Sequence, residues 1–375
     1  MTSFCYFIAT SYSDNPISLH FQALAKELAR GGNRVVILVD HQKYHAQNYK
    51  NNPSIYTWPS WRPTKLSDAI FLYRLIRKYH PDCLIANFGS VNIMTTMGWL
   101  AKVPFRVAWY HTLSSQINLD TQDALWKIKL LRFRKQIIYR LASHIIPVSE
   151  AAKKDLCIVF KVLDKKCKIF YNSLIDPIEE LNLSKVLKDP NKIICVARLF
   201  PSKGQDCLIR AIALLKSNFP FLKVEFIGEG PLKKETYTQL AKDLGLNDNC
   251  VFLGSLPHKV VLNKMASAIL SVLLSLADNC PLVVIESLAV GTPVIACAVG
   301  GIPEIIRDGI DGFLFPPNSY QVLAEKIKIL LLNPKLREQM SMNARQRFLD
   351  KFEQSKAIKE QADWLEAQVK KLNKQ

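Results

Sequence analysis

Residues 271–303, SVLLSLADNCPLVVIESLAVGTPVIACAVGGIP, constrain this chain more than any other stretch. An apolar run over 271–276 ends in the polar turn Ala277-Asp278-Asn279-Cys280-Pro281. A second apolar run, 282–290, carries one charge, Glu286, and Gly291-Thr292-Pro293 stops it. A third run over 294–298 leads into Gly300-Gly301. Strand, helix and strand with glycine-rich exits read as a parallel βαβ unit, whose ligands sit at the carboxyl ends of its strands. A carboxylate inside an apolar helix requires a partner, because an unpaired buried charge is expensive. The helix start itself offers free N–H groups and positive potential to an anion. Asp278 and Glu286, eight positions apart, flank that start, which suggests hydroxyls gripped beside a phosphate.

The same alternation runs through the rest of the 375 residues. Strands are expected at 4–9, 35–39, 54–57, 83–86, 105–110, 145–148 and 168–171, with helices between them at 19–29, 69–79, 90–101 and after Ser149, which is placed as a cap. The segment 176–191 reads as a polar, proline-flanked link. Alternation then resumes with strands at 193–196, 223–227 and 251–253 and helices at 205–216, 231–244 and 258–266. Helices at 319–332, 334–351 and 354–372 close the chain. The pattern predicts two α/β halves with parallel sheets, a ligand cleft between them, and a terminal helix.

No run of eighteen uncharged apolar residues occurs, so no spanning helix is expected. The N-terminus lacks a basic leader and reads as a first strand. The nine cysteines form no C-x-x-C pair and interrupt strands, so reduced core residues are expected rather than bridges or a metal site, and the compartment is expected to be cytoplasmic. Net charge is +18, of which +12 lies in residues 1–185. A basic surface suits a phosphorylated substrate or an anionic membrane; no zinc-finger, helix-turn-helix or RNA-binding signature points to nucleic acid.

The segment 192–352 resembles the retaining glycosyltransferases of family 4, which have the GT-B fold. Five pieces in order carry the likeness: VARLFPSKGQDCLIRA (196–211), FIGEGPL (226–232), CVFLGSLP (250–257), SLADNCPLVVIESLAVGTPVIA (275–296) and GGIPEIIRDGIDGFLFPP (300–317). The first half matches through ELARGGNRVVIL (27–38), VSEAAKKDL (148–156) and IFYNSLID (169–176). The resemblance implies an α/β, GT-B fold: two Rossmann-like domains with parallel sheets facing across a cleft. Residues 1–178 would bind the acceptor, 179–352 the nucleotide sugar, and 353–375 would form a helix crossing back to the first domain.

The resemblance also implies roles. Arg198 and Lys203 would straddle the donor diphosphate, where two cations stabilise a leaving group that gains charge. Glu286 would accept from ribose hydroxyls, and Asp278, first acid of a D-x7-E version of the family's E-x7-E pattern, would hold hydroxyls of the transferred sugar. Pro281 stands where the family has glycine and has no N–H, so backbone donors must come from Asn279, Cys280, Leu282 or Val283. Gly228 and Glu229 would approach the nucleoside and Phe252 would line the base pocket. Gly300 and Gly301 resemble the family's later turn and read as mainly structural, and Glu304 there reads equally as structural or as a functional acid. In the first half, His111 ends a strand as a sugar-contacting histidine does in the family; the other six histidines have no such context. The family's Gly-Gly phosphate loop is replaced by Ser13-Asp14-Asn15-Pro16-Ile17-Ser18.

The expected activity is retaining, metal-independent transfer of a hexosyl group from a UDP- or GDP-linked sugar to a saccharide or lipid-linked saccharide in envelope or exopolysaccharide synthesis. No cofactor or metal is expected. Two alternatives share the fold: a nucleotide-sugar 2-epimerase, and a non-catalytic sugar-nucleotide-binding protein. The segment 125–141 carries Lys127, Lys129, Arg132, Arg134, Lys135 and Arg140 with no acid. It reads as a basic amphipathic helix that contacts an anionic membrane surface, or else as a buried helix with its long cationic side chains reaching out to water.

Overall fold

The computed structural model describes all residues except 1–2, 12, 14, 41–52, 121–124, 231–233 and 374–375. The expected positions Asp14 and Pro231 therefore lie outside the described residues. Two sheets of six parallel strands organise the rest. The first contains β1 (Cys5–Thr10), β2 (Arg34–Val39), β3 (Ser54–Thr57), β4 (Cys83–Ala86), β5 (Phe105–Tyr110) and β6 (His144–Pro147), in the order β3-β2-β1-β4-β5-β6. The second contains β7 (Asp189–Val196), β8 (Lys223–Ile227), β9 (Cys250–Gly254), β10 (Ala268–Leu273), β11 (Val294–Cys297) and β12 (Gly312–Phe315), in the order β12-β11-β10-β7-β8-β9.

Helices cover both faces of such a sheet, so its inner strands read as continuous apolar runs. Every residue of β1 and β10 is buried, which explains why CYFIAT and AILSVL show no polar alternation. Each isoleucine, valine or leucine so buried contributes about 1.5–3 kcal/mol. The strand order reverses between β1 and β4 in one sheet and between β10 and β7 in the other. A crevice opens outside the strands' carboxyl ends at such a reversal.

The chain divides into two compact units. The first comprises residues 1–111, 123–172 and 354–375; the second comprises 112–122 and 173–353. In the first, the helix Gln354–Leu372 buries the stripe Ile358, Gln361, Ala362, Leu365 and Val369. Its Trp364 ring lies against Phe105, His144 and Phe170 at centroid separations of 5.9, 5.5 and 5.6 Å. Asn33 donates to Glu366 Oε1 at 2.8 Å. In the second unit the helix Ser114–Asp120 packs on the turn Pro201–Lys203. Residues 112–122 therefore group with the second sheet, although the sequence places them among 1–178.

Two expectations are corrected. Residues 168–171 are not a strand: Lys168 and Phe170 donate to Ile145 O and Pro147 O, each at 3.2 Å, and Pro147 has no N–H to complete the ladder. The link 176–191 is structured, with a short helix at Pro177–Glu180 capped by Asp176 and with β7 already begun at Asp189. The Ser149 cap is present: its side chain accepts from Ala152 N at 2.9 Å.

Candidate active site

In the second unit the reversal between β7 and β10 places two loops side by side. The loop after β7 carries Arg198 and the turn Pro201–Lys203; the loop after β10 carries Ser275 and Asp278. Lys203 Nζ lies 2.7 Å from Asp278 Oδ2 and 3.1 Å from Ser275 Oγ, and Ser275 Oγ donates to Asp278 Oδ2 at 3.0 Å. The other carboxylate oxygen, Oδ1, accepts from Asn279 N at 3.0 Å. All three side chains are largely shielded from water, so the cation is held rather than free to sample solvent. Leu276 N donates to Ser202 O at 2.8 Å and ties the loops together.

Arg198 is exposed, its guanidinium 4.6 Å from the centroid of the Phe200 ring. Its backbone carbonyl accepts from Gln205 Nε2 at 3.0 Å. The loop packs closely: a Cβ at Gly228, where φ is +137°, would lie 2.1 Å from Ala197 O. Gly300, at φ +55°, is under the same constraint, since a Cβ there would meet Asp278 O at 1.8 Å. Gly301 N donates to that same oxygen at 3.2 Å, so the turn after β11 fixes the backbone of the acid.

The helix Leu282–Ala289 begins at Pro281 with no side chain capping it. Glu286 faces inward from this helix and is 7% exposed. The partner it requires is His258, whose Nε2 lies 2.7 Å from Glu286 Oε1. The hydrogen bond to Glu286 raises the imidazole above the ordinary histidine value, outweighing the opposing effect of its partial burial. His258 is not among the residues the sequence singles out, since it opens a helix and does not end a strand. His258 opens its helix directly after Pro257, and nothing in its local pattern links it to a residue 28 positions later.

Glu229 is exposed and its Oε1 accepts from Ser255 N at 3.3 Å, joining the turn after β8 to the end of β9. Phe252 stacks on Phe226 at 4.8 Å and 13°. Asn279 and Cys280 are buried, while Leu282 and Val283 are half-buried at the helix start. Among the described residues no three His, Cys, Asp or Glu side chains converge in a metal-ligand set.

His111 follows β5 in the first unit. Its ring stacks on Phe88 at 4.5 Å and 23°. Burial, and secondarily the charge of His20, lowers its pKa to about 3. Burial likewise lowers His20 to about 4, and its Nε2 lies 2.8 Å from Gln361 Oε1. Both rings are neutral at pH 7.

Comparison with known proteins adds four findings. The family profile described as "Glycosyl transferases group 1" matches residues 179–347, and that described as "Glycosyltransferase Family 4" matches 17–174. An uncharacterized glycosyltransferase of Methanocaldococcus jannaschii is 24% identical over 371 residues, covering 92% of this chain and 92% of that protein. The sulfoquinovosyl transferase of Arabidopsis thaliana is 25% identical over 377 residues, 95% of this chain and 69% of that protein. Among solved structures, Anabaena HepE in complex with UDP has a TM-score of 0.75 at 18% identity, over 97% of this chain and 100% of that one; its complex with UDP-glucose has a TM-score of 0.72.

Proposed function

This chain belongs to the glycosyl transferases group 1 family and has the GT-B fold, and on that premise we propose that it moves a hexosyl group from a nucleotide sugar to an acceptor hydroxyl, with retention at the anomeric carbon and without a metal. A UDP- or GDP-linked donor fits the site, and the UDP and UDP-glucose carried by HepE favour uridine. The observation that carries the reading is the cluster of Lys203, Asp278 and Ser275 at the β7/β10 reversal, with Glu286 on the helix that follows.

The roles follow from charge. The leaving diphosphate gains negative charge as the glycosidic bond breaks, and Lys203 and Arg198 neutralise it while N–H groups at the helix start add to the positive field. Glu286, with one oxygen held by His258, offers the other to the ribose hydroxyls. Asp278 accepts from hydroxyls of the transferred sugar, and Asn279, Cys280, Leu282 and Val283 supply backbone contacts. Gly228 and Glu229 border the nucleoside and Phe252 its base. Departure of the diphosphate and attack of the acceptor oxygen take place on one face of the sugar. A phosphate oxygen of the donor takes the acceptor's proton, so no separate protein base is required.

The acceptor is a saccharide or lipid-linked saccharide, and the first unit presents a surface suited to the second kind. The helix Leu125–Leu141 exposes Trp126, Leu130, Leu131, Phe133 and Ile137 together with Lys127, Lys129, Arg134 and Arg140, whereas Lys135 is held on Asn92 Oδ1 at 3.2 Å. A helix buried in the core would hide these apolar side chains, so the snorkelling alternative is disfavoured and an anionic bilayer is the better partner. Among the described residues no helix is long and apolar enough to cross a membrane. A cytoplasmic protein attached peripherally at the inner membrane face fits both observations.

The reading is tested by incubating the protein with a panel of labelled UDP- and GDP-hexoses and a membrane saccharide extract, with and without EDTA. One donor should give transfer that survives chelation and keeps the donor's anomeric configuration. Absence of transfer from every donor, or its loss with EDTA, contradicts the proposal.

A further inference from the structure

The two cations assigned to the diphosphate are held in different ways. Lys203 is shielded and paired with Asp278. Arg198 is exposed, and among the described residues no carboxylate pairs with its guanidinium. A long side chain of this kind loses much rotamer freedom when it grips an anion, unless something restricts it beforehand. The ring of Phe200 does so, with the guanidinium 4.6 Å from its centroid. An aromatic face attracts the cation while leaving its charge unneutralised and its N–H edge free. A carboxylate in the same place would compete with the ligand.

The backbone beneath this pair is fixed from two sides. The Arg198 carbonyl accepts from Phe200 N at 3.0 Å and from Gln205 Nε2 at 3.0 Å. The first bond folds residue 200 back toward residue 198. Phe200 O accepts in turn from Lys203 N at 2.9 Å, which ties both cations to one residue. The second bond comes from the first residue of the helix Gln205–Leu215, which is 1% exposed. Its amide oxygen accepts from the hydroxyl of Tyr237 at 3.3 Å, and Tyr237, on the helix Lys234–Asp243, is also buried. Gly204 sets the approach: at φ +57° a Cβ there would lie 3.0 Å from Leu274 O, so a side chain at this position would strain the turn. A buried amide is costly unless it is paired. Here both of its ends are used, and what they fix is the carbonyl of Arg198.

We infer that Gln205 and Phe200 are positioning residues for Arg198: Gln205, backed by Tyr237, sets the backbone from which the arginine extends, and Phe200 orients its guanidinium for the donor diphosphate. The inference rests on the transferase reading above and adds two residues that act through the arginine rather than on the substrate. It is tested by isothermal titration of UDP, GDP and their free nucleosides against the wild type, Phe200→Leu, Phe200→Tyr and Gln205→Met, each also combined with Arg198→Met. Arg198→Met alone should weaken the preferred diphosphate at least about tenfold, the scale of one lost charged contact. Phe200→Leu should weaken it about two- to fivefold, the scale of an exposed cation–π contact, and Phe200→Tyr, which keeps the ring, should bind as the wild type does. Gln205→Met should weaken it about two- to tenfold, the scale of one lost hydrogen bond. None of these should alter nucleoside affinity. None should add to the loss once Arg198 is gone, which separates positioning from a general loosening of the fold. Phe200→Leu carries the test if Gln205→Met fails to fold. Wild-type affinity in Arg198→Met, equal losses on the nucleoside, or losses that add to that of Arg198→Met overturn the inference. A wild type that binds the nucleoside as tightly as either diphosphate sinks the transferase reading itself, whereas a diphosphate preference that survives intact in the folded Phe200 and Gln205 variants sinks the positioning alone.

Discussion

Lys203 and Asp278, separated by 75 positions, form an ion pair of 2.7 Å that Ser275 closes into a triangle. The pair joins the loop after β7 to the loop after β10 at the point where the strand order of the second sheet reverses. It fixes the cation and the acid of the proposed donor site before any ligand arrives.

Removing one member of a shielded pair strands the other, so Lys203→Met should destabilise the protein by about 3 kcal/mol. Combining it with Asp278→Asn should recover a large part of that loss. Chemical denaturation of the two singles and the double measures the coupling, and additive losses would contradict the pairing.

The His258–Glu286 contact predicts a pH dependence at the alkaline side. Glu286 raises the imidazole in the folded state, so its stabilising contribution is complete below the unfolded value near pH 6.5. It is lost as pH rises through the raised folded value. Donor affinity should fall over that same range as the contact to Glu286 loses its charge-assisted character. In His258→Gln both pH trends should flatten while transfer persists, because the amide can still donate to the carboxylate. Unchanged pH profiles would assign His258 no part in holding Glu286.

His20 and His111 predict the opposite sign. Their folded values, about 4 and about 3, lie below the unfolded value near 6.5. Their stabilising contribution is thus complete above pH 6.5 and is lost as pH falls through the window toward 4 and then 3. The limiting slope is about 1.4 kcal/mol per pH unit for each ring. Melting followed from pH 7 to pH 4 should show this, and His20→Gln should make the decline shallower.

The basic helix predicts salt-sensitive binding to vesicles. Flotation with phosphatidylglycerol should retain the protein and flotation with phosphatidylcholine should not. Lys127→Ala with Lys129→Ala should weaken binding about 30-fold, from roughly 1 kcal/mol per cation near an anionic surface. Equal recovery on both vesicles, or on neither, removes the membrane assignment.

Strands were the most legible part of the chain. The runs 54–57, 83–86, 105–110 and 223–227 appear with the same bounds; the inner strand 83–86, CLIA, is buried at every position, as a strand covered on both faces must be, whereas 54–57 lies at the sheet edge and is half-buried throughout. The KIFY run at 168–171 carries the same local signal and fails, since strand formation there depends on a neighbour, and Pro147 cannot donate. In the second unit, the apolar helix around Glu286 announced that the acid needs a partner but not that it is His258, because the contact closes only when two helices distant in sequence meet. Among the described residues the side-chain amide of Asn87 has no hydrogen-bond partner, and neither this nor the positive φ of Phe88 has a sequence signature; both follow from backbone geometry at the end of β4.

The central claim is that the second unit binds the diphosphate of a nucleotide through Lys203 and Arg198 and its ribose through Glu286. Isothermal titration with UDP and GDP, each against its free nucleoside, tests this most directly. The account predicts that one diphosphate binds far more tightly than its nucleoside, and that Lys203→Met and Glu286→Gln each weaken it at least about tenfold, the scale of one lost charged contact. Equal affinity for nucleoside and diphosphate, or wild-type affinity in both variants, would contradict it.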